Sequence, residues 1–182
     1  MNAIKLLLPG LIAVLCGDLT SCASTTYPEP TPTERALGTS LQPPAGQALV
    51  VMYRRSEGLH SRMIPTPAII DGERRGVTGV GSFVVVPIAP GKHRVSSGAT
   101  EASGSSPIRF TAVAGQRYFF RQAKKQFIQD TMLVPAGPAL TPAPISGFQD
   151  ALEQVPEDVA MKEVAQCKQH GTSGDITVKT WP

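Results

Sequence analysis

The chain is short of several things, and each shortage excludes something. Its main apolar run, residues 6–16, falls well short of the ~20 residues a membrane-spanning helix needs. Aromatic residues make up only 5% of the sequence, against 17 glycines and 17 prolines, a balance that favours short strands and turns over long helices. The net charge is +3, too mild for the basic stripe of a nucleic-acid binder, so no nucleic-acid partner is expected. There is no Gly-x-Ser-x-Gly elbow, although serines crowd residues 96–106. His60, His93 and His170 lack the paired spacing of a metal site, so neither a metal nor a cofactor is implied.

What is present starts with the first 22 residues. Lys5 precedes the apolar run 6–16, the plan of a secretory signal peptide covering residues 1–21. Leu19-Thr20-Ser21-Cys22 resembles the lipobox of bacterial lipoproteins, in which the cysteine receives the lipid. Ser21-Cys22-Ala23 also fits ordinary small-x-small cleavage, the competing reading. The lipobox resemblance implies several acyl chains on Cys22 and hence a durable anchor, because one chain alone holds only reversibly. It also implies an envelope address. Ala23 is not the aspartate that retains such proteins at the inner membrane, which favours an outer-membrane lipoprotein facing the periplasm.

Cysteine accounting follows from that reading. Cys16 leaves with the signal and Cys22 is lipidated, so Cys167 is the only thiol left and no internal disulfide can form. Cys167 reads as a side chain buried on a helix, with pairing to another chain as the alternative.

Residues 22–46 read as a lipidated cysteine followed by a Pro/Ser/Thr-rich tether, too poor in apolar side chains to fold and stiffened by proline. Residues 47–168 read as one mainly β domain, a β-sandwich of short antiparallel strands with one C-terminal helix, followed by a flexible tail, 169–182. Within it, residues 48–54 are apolar at both odd and even positions, a strand buried on both faces that emerges at Arg54-Arg55. Asp71-Gly72 is a hairpin turn. Residues 82–88 form a clear strand, Pro90-Gly91 a turn, and 92–97 the returning partner. Residues 107–113 and 117–123 pair across a turn at Gly115, and 127–134 supply a last strand. Residues 135–144 read as irregular and 146–168 as helical, with Pro156 at a break or first turn.

The ordered set VVMYRR, AIIDGERRG, FVVVPIAPGKHRVS and AGQRYFFR resembles the bacterial lipoprotein domain known as domain of unknown function 2846. The Pro-Gly-Lys-His turn is similar to those of PEGA-type β-sandwich modules, which are immunoglobulin-like. The resemblance implies a β-sandwich and an envelope location. It brings no catalytic residues.

Individual candidates carry bland readings beside sharper ones. His93 reads as a solvent-exposed strand residue, and Cys167 with His170 as at most half of a metal site. Gly76, Gly79 and Gly81 echo a phosphate loop, but a strand follows them where a helix is needed. Glu57, Asp71 and Glu73 nominate no carboxylate pair. Arg54, Arg55, Arg74 and Arg75 form a basic patch if their strands adjoin. Tyr118-Phe119-Phe120 reads as core. The expected function is a non-enzymatic structural or protein-interaction module, held to the membrane by lipid on Cys22 and contacting an envelope protein or the cell wall. The alternatives are an envelope hydrolase and a small-ligand carrier with a pocket between the sheets.

Overall fold

The computed structural model describes residues 24–56, 65–98, 105–136, 139–172 and 177–179. Leu19, Thr20, Ser21 and Cys22, with the signal segment, lie outside them, as does His60. Two compact units divide the chain. The smaller contains an antiparallel pair, β1 (Ser24–Thr26) with β11 (Thr177–Lys179). The larger, Tyr27–Asp175, holds everything else.

That unit is mainly β and layered as a sandwich. Its elements in order are α1 (Pro32–Ser40), β2 (Ala48–Arg54), β3 (Thr66–Ile70), β4 (Glu73–Thr78), β5 (Ser82–Ile88), β6 (Gly91–Ser97), β7 (Ile108–Ala112), β8 (Arg117–Ala136), β9 (Ala139–Val155), α2 (Glu157–Val164) and β10 (Lys168–Gln169). One sheet has the order β10-β5-β2-β8-β9 and the other β4-β3-β6-β7.

β2 lies at the centre of the five-stranded sheet and is buried along its whole length. Ala48, Val50 and Met52 pack with Ile70, Val84, Val95 and Phe120 between the two sheets. Leu49, Val51 and Tyr53 pack on the opposite face with Phe83, Val85, Phe119, Ala160 and Val164, beneath the helices. The apolar run on both parities therefore reflects a strand covered on both sides. Each such fully buried side chain contributes about 1.5–3 kcal/mol relative to exposure. Phe119 and Phe120 follow the same alternation on β8, one in each layer.

Several local expectations need correction. Residues 92–97 do not return beside 82–88: β6 pairs with β3 and β7, whereas β5 lies between β2 and β10. The reason is amphipathicity. β6 alternates exposed Lys92 and Arg94 with inward His93 and Val95, which suits a sheet with one wet face and not a strand covered on both. β7 and β8 likewise belong to different sheets, and the turn at Ala114-Gly115 carries the chain across. β2 and β8 run parallel, as do β10 and β5.

Residues 135–136 and 139–155 are not irregular and then helical. They complete a long β8–β9 hairpin in which Val134 faces Thr141 and Phe119 faces Val155. Pro142 and Pro144 fall on β9, an edge strand, the position in a sheet where proline is tolerated. The C-terminal helix α2 begins only after Pro156.

The stretch read as a tether contains α1. Thr31 caps it: its hydroxyl accepts from the Glu34 N–H, and the Glu34 carboxylate accepts from the Thr31 N–H, with Pro32 at the first helical position. Leu41 follows α1 into the layer beneath the sheet. The beginning of the expected tail is also packed: His170 is buried, and the Gly171 N–H donates to the Pro28 carbonyl. Among the described residues no helix is long and apolar enough to cross a membrane.

Candidate functional site

The β3–β4 turn positions the first group of interest. Asp71 and Gly72 both hold positive φ, 54° and 86°, the geometry of a type I′ turn. Asp71 thereby reaches across to β6. Its Oδ1 accepts from the Arg94 N–H at 2.9 Å, its Oδ2 lies 2.6 Å from His93 Nδ1, and its own N–H donates to the Arg94 carbonyl.

The second ring nitrogen of His93 is 2.8 Å from the Ala89 carbonyl. A carbonyl can only accept, so Nε2 carries a proton, and the carboxylate at Nδ1 favours a second. The hydrogen bond that His93 donates to Asp71 raises the His93 pKa, partly opposed by burial. Burial acts against the Asp71 carboxylate, but the Arg94 N–H and His93 hold its pKa below the ordinary value. Both ring nitrogens are engaged, and protonation of His93 makes the contact with Asp71 an ion pair. It is a clamp on the turn and leaves His93 no lone pair for a metal or a substrate proton. The solvent-exposed reading of His93 is thus corrected, for its side chain is only 14% exposed.

Beside the clamp lies an open depression of about 470 Å³, lined by Asp71, Lys92, Arg94, Arg109, Phe110 and Thr111, with His93 between them. Its floor is β6 and β7, whose register sets Arg94 directly opposite Arg109 and Lys92 opposite Thr111. All four are exposed. Phe110 is half-buried, with its ring 4.9 Å from Tyr118 and 5.2 Å from Phe120. Asp71 is the only acidic residue in this lining.

A second polar cluster joins the five-stranded sheet to α2. The Tyr53 hydroxyl donates to Glu163 at 2.6 Å, and Arg121 donates to the other oxygen of Glu163 at 2.8 Å. Arg55 approaches the same carboxylate at 3.1 Å, and Arg121 also bonds Glu153 at 2.8 Å. Cys167 Sγ, half-buried and a free thiol, faces the carbonyls of Glu163 and Arg54, and burial raises its pKa. His170 turns elsewhere, stacking on Tyr27 at 4.3 Å. The two are not brought together as a ligand pair, and among the described residues no group of three or more His, Cys, Asp or Glu is placed to hold a metal.

A third cluster is a buried polar seam at one end of the two sheets. Gln122 bonds Thr78, the Pro67 carbonyl and Ser97, and Arg54 bonds Thr66 at 3.0 Å. The arginine patch expected from the sequence therefore divides. Arg54 does not emerge: it is 3% exposed and bonds β3, while Arg55 turns to Glu163 and Arg75 to Glu73. Alternation along β2 sends neighbouring arginines to opposite faces.

The remaining turn residues sit between strands. Pro90 and Gly91 lie at the β5–β6 crossing, Gly115 holds φ 78° between β7 and β8, and Gly79 is bonded to Ser82 in the β4–β5 turn. Lys92, Arg94, Arg109, Arg121 and Glu163 were not nominated by spacing. Their grouping depends on strand pairing between distant segments, which no short motif encodes.

Residues 44–136 match the family described as Protein of unknown function (DUF2846). The chain belongs to this family. The matched stretch covers just over half of the sequence and runs to the last residue of β8. The clamp and the basic depression lie wholly inside the DUF2846 stretch, whereas Glu153 and Glu163 lie beyond it. No curated protein and no solved structure matches the chain.

Proposed function

We propose that this DUF2846 protein is a lipid-anchored module of the cell envelope that binds a partner rather than turning over a substrate. The address rests on Leu19-Thr20-Ser21-Cys22, with Cys22 as lipid acceptor and the outer membrane, periplasmic side, as its place. The likeness of Pro90-Gly91-Lys92-His93 to PEGA-type surface modules supports the same reading.

The observation that carries the binding role is the packing. The space between the sheets is filled by Val50, Met52, Ile70, Val84, Val95 and Phe120, each at most 1% exposed, where a carrier would need a pocket. The five-stranded sheet is covered on its other face by α1 and α2 residues. Recognition then falls to the outer face of the four-stranded sheet, which presents Arg74, Lys92, Arg94 and Arg109.

Two experiments test this. Cys22→Ser should abolish palmitate labelling and release the protein from membranes; labelling that persists refutes the anchor. Cross-linking of the intact chain in the envelope, followed by pull-down, should recover a defined partner. Turnover of an envelope polymer by the purified chain, with no partner recovered, would replace the module with a hydrolase.

A further inference from the structure

We propose that Lys92, Arg94 and Arg109 form a binding site for a phosphate-type oxyanion in the depression beside the His93–Asp71 clamp. The proposal rests on the binding-module reading, though not on the envelope address.

Charge is the first argument. Asp71 is the only acid in the lining, and both its oxygens are taken, one by the Arg94 N–H and one by His93. Asp71 therefore has no carboxylate oxygen left for Lys92, Arg94 or Arg109 to pair with through their side chains. Lys92, Arg94 and Arg109 are left as three cations around one depression, and Lys92 and Arg109 form no ion pair among the described residues.

The second argument is placement. Arg94 and Arg109 are directly opposed across β6 and β7, and like charges in that position are destabilising. An oxyanion between them converts the repulsion into two charge-assisted contacts, because the guanidinium fork matches phosphate oxygens in pairs. Lys92 supplies a point charge and Thr111 a hydroxyl on the same face, one rung further along. A phosphate dianion suits three cations better than a singly charged carboxylate does.

The third argument is rigidity. The floor is a strand pair, and the clamp ties the adjoining turn to it, so the cations sit on a prebuilt frame. The volume lies within the usual range for small-ligand sites.

The test uses the full-length Cys22→Ser chain and the same chain carrying Arg94→Gln and Arg109→Gln. Calorimetric titration with inorganic phosphate and pyrophosphate, against chloride at matched ionic strength, should show saturable binding. The double variant should bind more weakly by about tenfold for each arginine lost. Its urea midpoint should be unchanged or raised, since a repulsion is removed, which separates loss of the site from loss of the fold. Co-sedimentation with phosphatidylglycerol vesicles, against phosphatidylcholine vesicles, distinguishes the source. Pelleting with the anionic vesicles that phosphate competes away assigns the site to a lipid headgroup. Binding of the free anions without pelleting assigns it to a soluble or glycan phosphate. No saturable binding at millimolar phosphate or pyrophosphate, or equal binding by the double variant, overturns the inference. If the double variant still captures the envelope partner, the module reading stands without it.

Discussion

The Tyr53–Glu163 hydrogen bond should prove to be a strong coupling between the five-stranded sheet and α2. Tyr53 is wholly buried, and its hydroxyl has a carboxylate partner at 2.6 Å. Burial first, and then the bond and charge of Glu163, raise the Tyr53 pKa far above its ordinary value, so the hydroxyl stays a donor at any physiological pH. Hydrogen bonds to charged groups contribute about 1.5–3 kcal/mol net, and a buried donor left without a partner costs about 1–3 kcal/mol. Arg121 adds a charge-assisted bond, but at 23% exposure it can rehydrate. Arg55, 42% exposed, contributes under about 1 kcal/mol. Glu163→Ala should therefore destabilise by about 3 kcal/mol, dominated by the orphaned hydroxyl, whereas Tyr53→Phe should cost about 1.5 kcal/mol. In Tm the first change amounts to about 6–12 °C for a chain of this size. Urea unfolding of the wild type, both single variants and the double variant, followed by circular dichroism, yields the coupling energy. It should be about 1.5–3 kcal/mol. A value under about 0.5 kcal/mol, the usual error of additivity, would refute the reasoning and make the contact incidental.

Two other perturbations follow from the same structure. The histidines should give the urea midpoint a maximum near pH 6.5. The folded pKa of His93 is raised, so its stabilisation is complete below 6.5 and is lost as pH climbs through the folded value. His170, buried beside Tyr27, has a lowered pKa, so stability falls as pH drops below 6.5 toward its folded value. His93→Gln should flatten the alkaline limb and His170→Gln the acid limb; an alkaline decline that survives His93→Gln would contradict the clamp. Phe120→Ala should cost about 3–5 kcal/mol by urea unfolding, since the ring is fully buried between the sheets. Val113→Ala, at 53% exposure, should stay within about 0.5 kcal/mol of wild type.

How much of this was legible depended on whether the cause was local. The two-sided apolar run of β2 announces a strand covered on both faces, because a half-wet strand would alternate. The Asp71-Gly72 turn follows from the few residues that tolerate positive φ. The capping box at Thr31 and Glu34 was equally local, yet the composition of its surroundings masked it. Residues 146–155 could satisfy helix or strand by propensity, and the long open edge of β8 decided the matter by pairing. Strand partners were the least legible feature. A proline-glycine turn between two strands reads as a hairpin unless the sheets on either side are known.

The partner that β6 takes bears directly on the candidate site. Had β6 returned beside β5, Lys92 and Arg94 would have lain in a sheet whose two faces are both covered. Pairing with β7 instead puts Arg94 opposite Arg109 on the wet face. Slippage by one residue would turn both inward and bring His93 and Phe110 out. Asp71 opposes that slip, because its two oxygens hold adjacent positions of β6: the backbone N–H of Arg94 and the ring of His93. One carboxylate thus fixes which residues of the strand face solvent while bonding the histidine that points in. The clamp and the basic face are parts of a single arrangement. Asp71→Ala should accordingly weaken oxyanion binding even though Asp71 carries the charge that repels the ligand. An increase in affinity would show that the register holds without it.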